Sequence, residues 1–150
     1  MELNEPQAKY LGISGYAQTE LGRLPLDWRI AKVSDVAETS SGTTPARSQF
    51  DRYYKGGLHA WVKTLDLNNG EIRITEESVT EEAIAETSLR LFSAGTVLVA
   101  MYGGLRQIGR TGLLRIPAAV NQAITAIRPD ANSLCSEFLL FSPFPALRLP

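Results

Sequence analysis

Cysteine and histidine are nearly missing from this sequence: Cys135 and His59 stand alone among 150 residues. No disulfide can close within the chain, and no Cys/His zinc site can be assembled. A reducing, cytoplasmic setting fits. Long apolar runs are missing too. No stretch reaches the ~18 residues a membrane helix needs, and the opening MELNEPQAKY carries acids without an apolar core, so it does not read as a signal peptide. Charge of one sign is not in excess, since 15 bases against 16 acids leave a net −1. That excludes a histone-like coat for nucleic acid. No internal repeat or heptad run is visible.

The common catalytic signatures are absent as well. No lysine follows a glycine, so there is no G-x-x-x-x-G-K-[ST] phosphate loop. Gly103-Gly104 and Gly109…Gly112 do not make G-x-G-x-x-G, and no G-x-S-x-G elbow presents a serine. None of Lys9, Lys32, Lys55 and Lys63 has an acid two residues before it, as a nuclease core would. The Asn/Asp-Pro-Pro-aromatic run of an amino-methyltransferase is missing. Carboxylates at Glu76-Glu77 and Glu81-Glu82 could hold a metal but read better as a solvated helix face. Catalysis by this chain alone is not expected.

What is present suits one globular domain: 150 residues with 44% hydrophobic content can bury a core without staples. Charge is unevenly distributed. Asp66 to Glu86 holds seven acids against Arg73, Thr87 to Arg128 holds five arginines and no acid, and Arg47 to Lys63 holds four bases against one acid. One face can therefore be electropositive on a neutral molecule. Arginine outnumbers lysine 11 to 4, and its fork suits phosphate or guanine.

Turn and periodicity signals divide the chain. Residues 1–18 form a lead-in, and Gly22-Arg23-Leu24-Pro25 reads as a turn. Trp28, Ile30 and Val33 suggest a short extended entry, and Ser34–Glu38 one helical turn. Ser40–Gly57 is a long loop in which Arg47, Arg52 and Lys55 interleave with Tyr53 and Tyr54. Leu58–Lys63 alternates as a strand, Asn68-Asn69-Gly70 is a turn, and Glu71–Thr75 is a strand with Ile72 and Ile74 inward. Thr80 opens a helix to Glu86, whose first-turn acids suit the helix dipole. Thr96–Tyr102 is the strongest strand, apolar and β-branched, buried on both faces. Gly103–Gly112 is a glycine-rich loop. Leu113–Ile116 and Asn121–Ile127 are strands, and Ser133 caps a helix to Phe141. Trp28, Trp61 and Cys135 are assigned to the core, and His59 is structural. Short strands and helices in irregular order predict an α+β fold with a twisted, mostly short-stranded sheet, not a βαβ repeat.

Three segments stand out: Gly42-Thr43-Thr44-Pro45 with its basic-aromatic tail, Trp61 to Gly70, and Met101 to Arg110. Hydroxyls and turn amides bind phosphate, glycine lets backbone approach a ligand, and Arg106, Gln107 and Arg110 are groove-reading types. Each alone is also ordinary turn chemistry. In order, they resemble the target recognition domain of the specificity subunit of type I restriction–modification systems. Thr19-Glu20-Leu21-Gly22, Leu24-Pro25 and Trp28 resemble that family's opening T-E-x-G-x-x-P-x-x-W. Val33-Ser34-Asp35-Val36-Ala37-Glu38 is similar to L-G-D-V-A-E, with Val and Ser for Leu and Gly. Ser41 to Pro45 resembles S-G-x-T-P, and Gly57 with Trp61-Val62-Lys63-Thr64, Asp66 and Leu67 resembles G-x-x-x-W-V-K-T-x-D-L. Phe92 to Gly103 with Ile108-Gly109-Arg110 resembles the buried strand and glycine loop, and Ala118-Ala119 with Asn121-Gln122-Ala123-Ile124 resembles A-A-x-N-Q-A-I.

The resemblance implies sequence-specific binding of double-stranded DNA by a non-catalytic domain spanning residues 19–150. It implies partners: a methyltransferase subunit that methylates adenine with S-adenosylmethionine, and a restriction subunit that cleaves. No cofactor is expected on this chain; S-adenosylmethionine, ATP and Mg belong to the partner subunits. Thr43, Thr44, Arg47, Lys55 and Lys63 are the candidates for phosphate contact. Arg106, Gln107 and Arg110 are those for base edges, with Tyr102, Asn121 and Gln122 beside them. The sequence departs from the family pattern in having no second recognition domain and no spacer coiled-coil helix; Pro143 and Pro145 interrupt the last helix. A half subunit that dimerises, a frameshifted remnant and an excised domain each account for this. The alternative function is a degenerate fragment that binds the methyltransferase subunit, or one with no DNA-binding activity.

Overall fold

The computed structural model describes residues 15–141; Pro143 and Pro145, and most of the lead-in, lie outside the described residues. The chain divides at Lys32/Val33 into two units. In the first, β1 (Tyr16–Thr19) and β2 (Gly22–Pro25) form an antiparallel hairpin with Thr19 opposite Gly22. Thr19 closes it: its hydroxyl donates to the Gly22 carbonyl at 2.6 Å and accepts from the Leu21 amide at 3.1 Å. The predicted turn at Gly22–Pro25 is therefore a strand, and the turn lies one step earlier, at Glu20-Leu21. No strand forms over Trp28–Val33, and Trp28 is 56% exposed where a core position was expected.

The second unit stacks two sheets. Its elements are α1 (Val33–Val36), β3 (Ala37–Ser41), α2 (Phe50–Tyr53), β4 (His59–Val62), β5 (Gly70–Ile72), β6 (Glu77–Val79), α3 (Glu81–Glu86), β7 (Val97–Ala100), β8 (Thr111–Leu114), β9 (Ala118–Val120), β10 (Ile124–Pro129) and α4 (Ser136–Phe141). One sheet has the order β3-β10-β7-β8-β5, antiparallel except for the β8–β5 pair. The other has the order β6-β4-β9, with β4 antiparallel to β6 and parallel to β9.

Period-2 alternation sorts the side chains into layers. Val62, Ala118, Val120, Leu98, Ala100, Leu114, Ile124 and Ala126 meet between the sheets. The intervening residues point outward: Trp61 and Ala119 pack with Tyr53, Tyr54, Val79, Ala83 and Leu89 under α2 and α3. Val97, Val99, Leu113 and Ile127 pack with Leu139 and Leu140 of α4. β7 is buried along its whole length, but the expected Thr96–Tyr102 strand is shortened to Val97–Ala100, and Met101 and Tyr102 beyond it are exposed. The α+β class stands, and among the described residues no helix is longer than six residues or apolar enough to cross a membrane.

Several boundaries differ from the sequence reading. Part of the Ser40–Gly57 loop is structured, since Arg47–Gln49 forms a 3-10 turn that runs into α2. The Leu58–Lys63 strand is reduced to β4, and Leu58 is exposed. The Glu71–Thr75 strand is instead β5, and Ile74 lies beyond it, 82% exposed rather than inward. The helical turn expected over Ser34–Glu38 ends at Val36, and Ala37–Ser41 forms the unanticipated β3; β6 and β9 were not anticipated either, being three residues each and too short to show alternation. Leu113–Ile116 shifts to Thr111–Leu114, and Asn121–Ile127 shifts to Ile124–Pro129, because Asn121 turns the chain instead: its amide oxygen accepts from the Ala123 amide at 3.2 Å. The last helix starts at Ser136. Ser133 does not cap it; its hydroxyl donates to the Asp130 carboxylate at 2.7 Å, and Cys135 is exposed rather than core. The helix at Thr80 forms as expected, the Thr80 hydroxyl accepting from the Ala83 amide at 3.2 Å.

Candidate nucleic-acid interface

Parallel pairing of β4 and β9 brings the C-terminal ends of both strands to the same edge. Lys63-Thr64 leaves β4 there and Asn121-Gln122 leaves β9 there, with the Asn121 amide donating to the Val62 carbonyl at 3.0 Å. The chain after β3 crosses the same edge: the Thr43 amide donates to the Val120 carbonyl at 2.9 Å and the Gly42 amide to the Ile124 carbonyl at 3.2 Å. Contact is so close that a Cβ on Gly42 would fall on the carbonyl oxygens of Val120 and Asn121. That steric demand explains the glycine in Ser41-Gly42-Thr43-Thr44-Pro45.

Side chains complete the junction. The Thr44 hydroxyl donates to the Gln122 amide oxygen, while Thr43 meets the Ser88 hydroxyl at 3.1 Å. The Thr64 hydroxyl donates to Oε1 of Gln107 at 3.2 Å, and the same oxygen accepts from the Gly104 amide at 3.2 Å. The Met101 amide donates to the Ala123 carbonyl at 2.8 Å, fixing one leg of the glycine loop to the turn after β9. Arg110 reaches the Leu67 carbonyl at 3.5 Å. Thr43, Thr44, Asn121, Gln122 and Gln107 are therefore brought together from three distant segments. Thr64 was not among the sequence candidates; the signals for it were its place immediately after an alternating strand and its position in the Trp61-Val62-Lys63-Thr64 motif.

Buried aromatics hold the Thr43–Arg47 segment from beneath. The Trp61 indole donates to the Thr43 carbonyl at 3.3 Å and the Tyr54 hydroxyl to the Pro45 carbonyl at 2.5 Å. Burial pushes the Tyr54 phenol up, so it remains a donor. Arg47 lies over the Tyr54 ring at 4.2 Å and the Trp61 ring at 5.1 Å, and pairs with Glu77 at 2.7 Å.

The candidate phosphate-binding bases already have carboxylate partners. Lys63 donates to Glu76 at 2.7 Å and to Glu77 at 2.6 Å. Burial alone would lower its pKa, but the hydrogen bonds to both glutamates outweigh burial and hold it above the ordinary lysine value. Glu77 mirrors this: burial would raise it, and hydrogen bonds from Lys63 and Arg47 hold it below the usual carboxylate range. Lys55 is outside this network, paired across one helical turn with Asp51 at 3.0 Å.

Arg106 is different. It is exposed, and it has no partner among the described residues. Tyr102 is also exposed, on the leg of the same loop. The edge thus offers hydroxyls, amides and one unpaired guanidinium on a preformed frame, which is hydrogen-bonding equipment for recognition. His59 pairs with Glu81 at 2.6 Å, and among the described residues no group of three or more His, Cys, Asp or Glu is placed to hold a metal.

Comparison with known proteins accords with this geometry. Residues 25–144 match the family described as the type I restriction modification DNA specificity domain. The chain is 33% identical over 129 residues to the type I restriction enzyme MjaIX specificity subunit of Methanocaldococcus jannaschii, covering 84% of this chain and 28% of that protein. It is 23% identical over 110 residues to the EcoR124I/EcoR124II specificity subunit of Escherichia coli, covering 73% of this chain and 26% of the relative. The chain therefore spans little more than a quarter of the length of these relatives. Its fold matches the HsdS subunit from Thermoanaerobacter tengcongensis with a TM-score of 0.61 at 20% identity, over 83% of this chain and 29% of that one. A chain from a type I R-M system, solved to explain complex assembly and conformational transition, gives a TM-score of 0.61 at 19% identity over 78% and 27% of the two chains. The chain belongs to the type I restriction modification DNA specificity domain family.

Proposed function

We propose that this chain reads a short half-site of double-stranded DNA as specificity component of a type I restriction–modification system. Methylation of adenine and cleavage fall to partner methyltransferase and restriction subunits, which carry S-adenosylmethionine, ATP and Mg; this chain supplies recognition and no catalytic group. The observation that carries the reading is the convergence at one edge of Thr44–Gln122, Thr64–Gln107 and the loop bearing the unpaired Arg106. Arg106 is assigned to a base edge, to which its guanidinium donates. Gln107 keeps its amide nitrogen for a base while its oxygen holds the loop. Thr43 and Thr44 position phosphate. Lys63 and Arg47 reach phosphate only by exchanging their glutamate partners. The compartment this reading requires is the cytoplasm, where the DNA is.

The test is selection of duplexes from a randomised pool by the purified chain, at low and then higher salt, because phosphate contacts mask specificity at low salt. Enrichment of one short motif is the expected result. A cooperatively folded chain that enriches nothing at either salt would overturn the proposal.

A further inference from the structure

Leu105 is 96% exposed, more than any other large hydrophobic residue described. Its position is not loose. The Gln107 amide donates to the Gly104 carbonyl at 2.7 Å, which makes Leu105 and Arg106 the two central residues of a β-turn and so its most projecting positions. The legs below are tied together: the Ala100 amide donates to the Arg110 carbonyl at 2.9 Å, and the Gly109 amide to the Ala100 carbonyl at 2.9 Å. Gly109 has φ +80°, a backbone that side-chain-bearing residues rarely adopt. The Gln107 side chain then braces the turn against Thr64. A bare leucine thus sits at the apex of a preformed turn, next to an unpaired arginine and a glutamine.

We infer that Leu105 is a wedge, inserted between two stacked base pairs of the half-site while Arg106 reads the base edge beside it. The inference rests on the DNA-reading function proposed above. Duplex DNA is the occupant the surroundings favour. Apolar wedges that unstack bases are leucine, isoleucine, methionine, phenylalanine or proline accompanied by arginine, lysine, asparagine or glutamine, and Leu105-Arg106-Gln107 is such a set. The wedge is also continuous with the polar edge through the Gln107–Thr64 bond. Because the turn is already closed, insertion orders no further chain. Steps differ in how readily they unstack, pyrimidine–purine steps most easily. Leu105 therefore selects sequence through deformability, at a step where no hydrogen bond discriminates.

The experiment places 2-aminopurine at each position of the selected duplex and follows its fluorescence on binding. Wild-type chain should brighten one step, a TA or CA/TG step. Leu105→Ala should abolish the brightening and lose about tenfold of the preference for that step, with thermal unfolding unchanged because the side chain is exposed. Leu105→Met should retain both. A duplex bound by wild type with no position brightened overturns the wedge and leaves half-site reading intact. So does a Leu105→Ala chain with an unchanged motif that instead loses the methyltransferase subunit. A chain that binds no duplex overturns both.

Discussion

Two residues carry contrasting electrostatics. Arg106 has no partner among the described residues, so binding need break nothing to use it. Arg106→Ala should cost about 1–3 kcal/mol on the selected half-site and relax specificity at one base pair. Equal loss on selected and random duplexes in competition titrations would leave it only a phosphate contact. Glu77 is the opposite case, receiving both Lys63 and Arg47. Its folded pKa is held below the usual range, so its stabilisation is complete above about pH 4.5 and disappears as pH falls through the depressed value. Lys63, held above its ordinary value, contributes below about pH 10 and loses its share as pH rises through the raised value. Glu77→Gln should lower stability by about 1–2 kcal/mol at pH 7. Urea midpoints of wild type and variant should converge as pH falls below about 4; a gap that is the same at pH 3 and pH 7 would sink the assignment.

At the scale of elements, the junction of β3, β9 and β10 depends on one missing side chain. Gly42 lets the β3 exit lie against the Val120 and Asn121 carbonyls, and that contact delivers Thr44 to Gln122. The obstruction is backbone on both sides, so no rotamer change relieves it. Gly42→Ala should destabilise by about 1–3 kcal/mol or more, as overpacking does. It should also weaken DNA discrimination beyond what stability explains, because Thr44 is displaced. Calorimetry paired with binding at a temperature where both proteins are folded checks this. Wild-type discrimination in a destabilised variant would show that the junction holds the fold but not the reader.

Across the whole molecule, a near-neutral chain presents few bases that are free to meet phosphate. Arg47, Arg52, Lys55, Lys63, Arg73, Arg115 and Arg128 all pair with carboxylates. In the second unit, Arg90, Arg106 and Arg110 have no carboxylate partner among the described residues. Phosphate contacts from these three arginines correspond to a slope of log K against log salt of roughly −3. Glu77→Gln, by releasing Arg47 and leaving Lys63 on Glu76 alone, should steepen that slope by about 1. A wild-type slope near −8 would mean that the ion pairs open on DNA and that affinity, not discrimination, dominates.

The sequence alone determined the features that depend on neighbours along the chain. The apolar run from Thr96 declared a doubly buried strand, realised over Val97–Ala100, and Thr80 followed by two acids declared a helix start. Asn68-Asn69-Gly70 declared a turn, realised with Asn69 at φ +58°. The ordered motifs from Thr19 to Ile124 declared the family. Local chemistry did not reveal β6 and β9, too short to alternate, or the exposure of Ile74, Trp28 and Cys135, whose apolar character alone suggested burial. Nor did it reveal the use of Glu77 by both Lys63 and Arg47, at separations no local pattern encodes. Only the tertiary structure decided that β4 and β9 run parallel, and so that Thr64 and Gln122 emerge together. It alone left Leu105 and Arg106 at the apex of a turn. Both outcomes depend on pairing between segments distant in sequence, settled by which faces can be buried together.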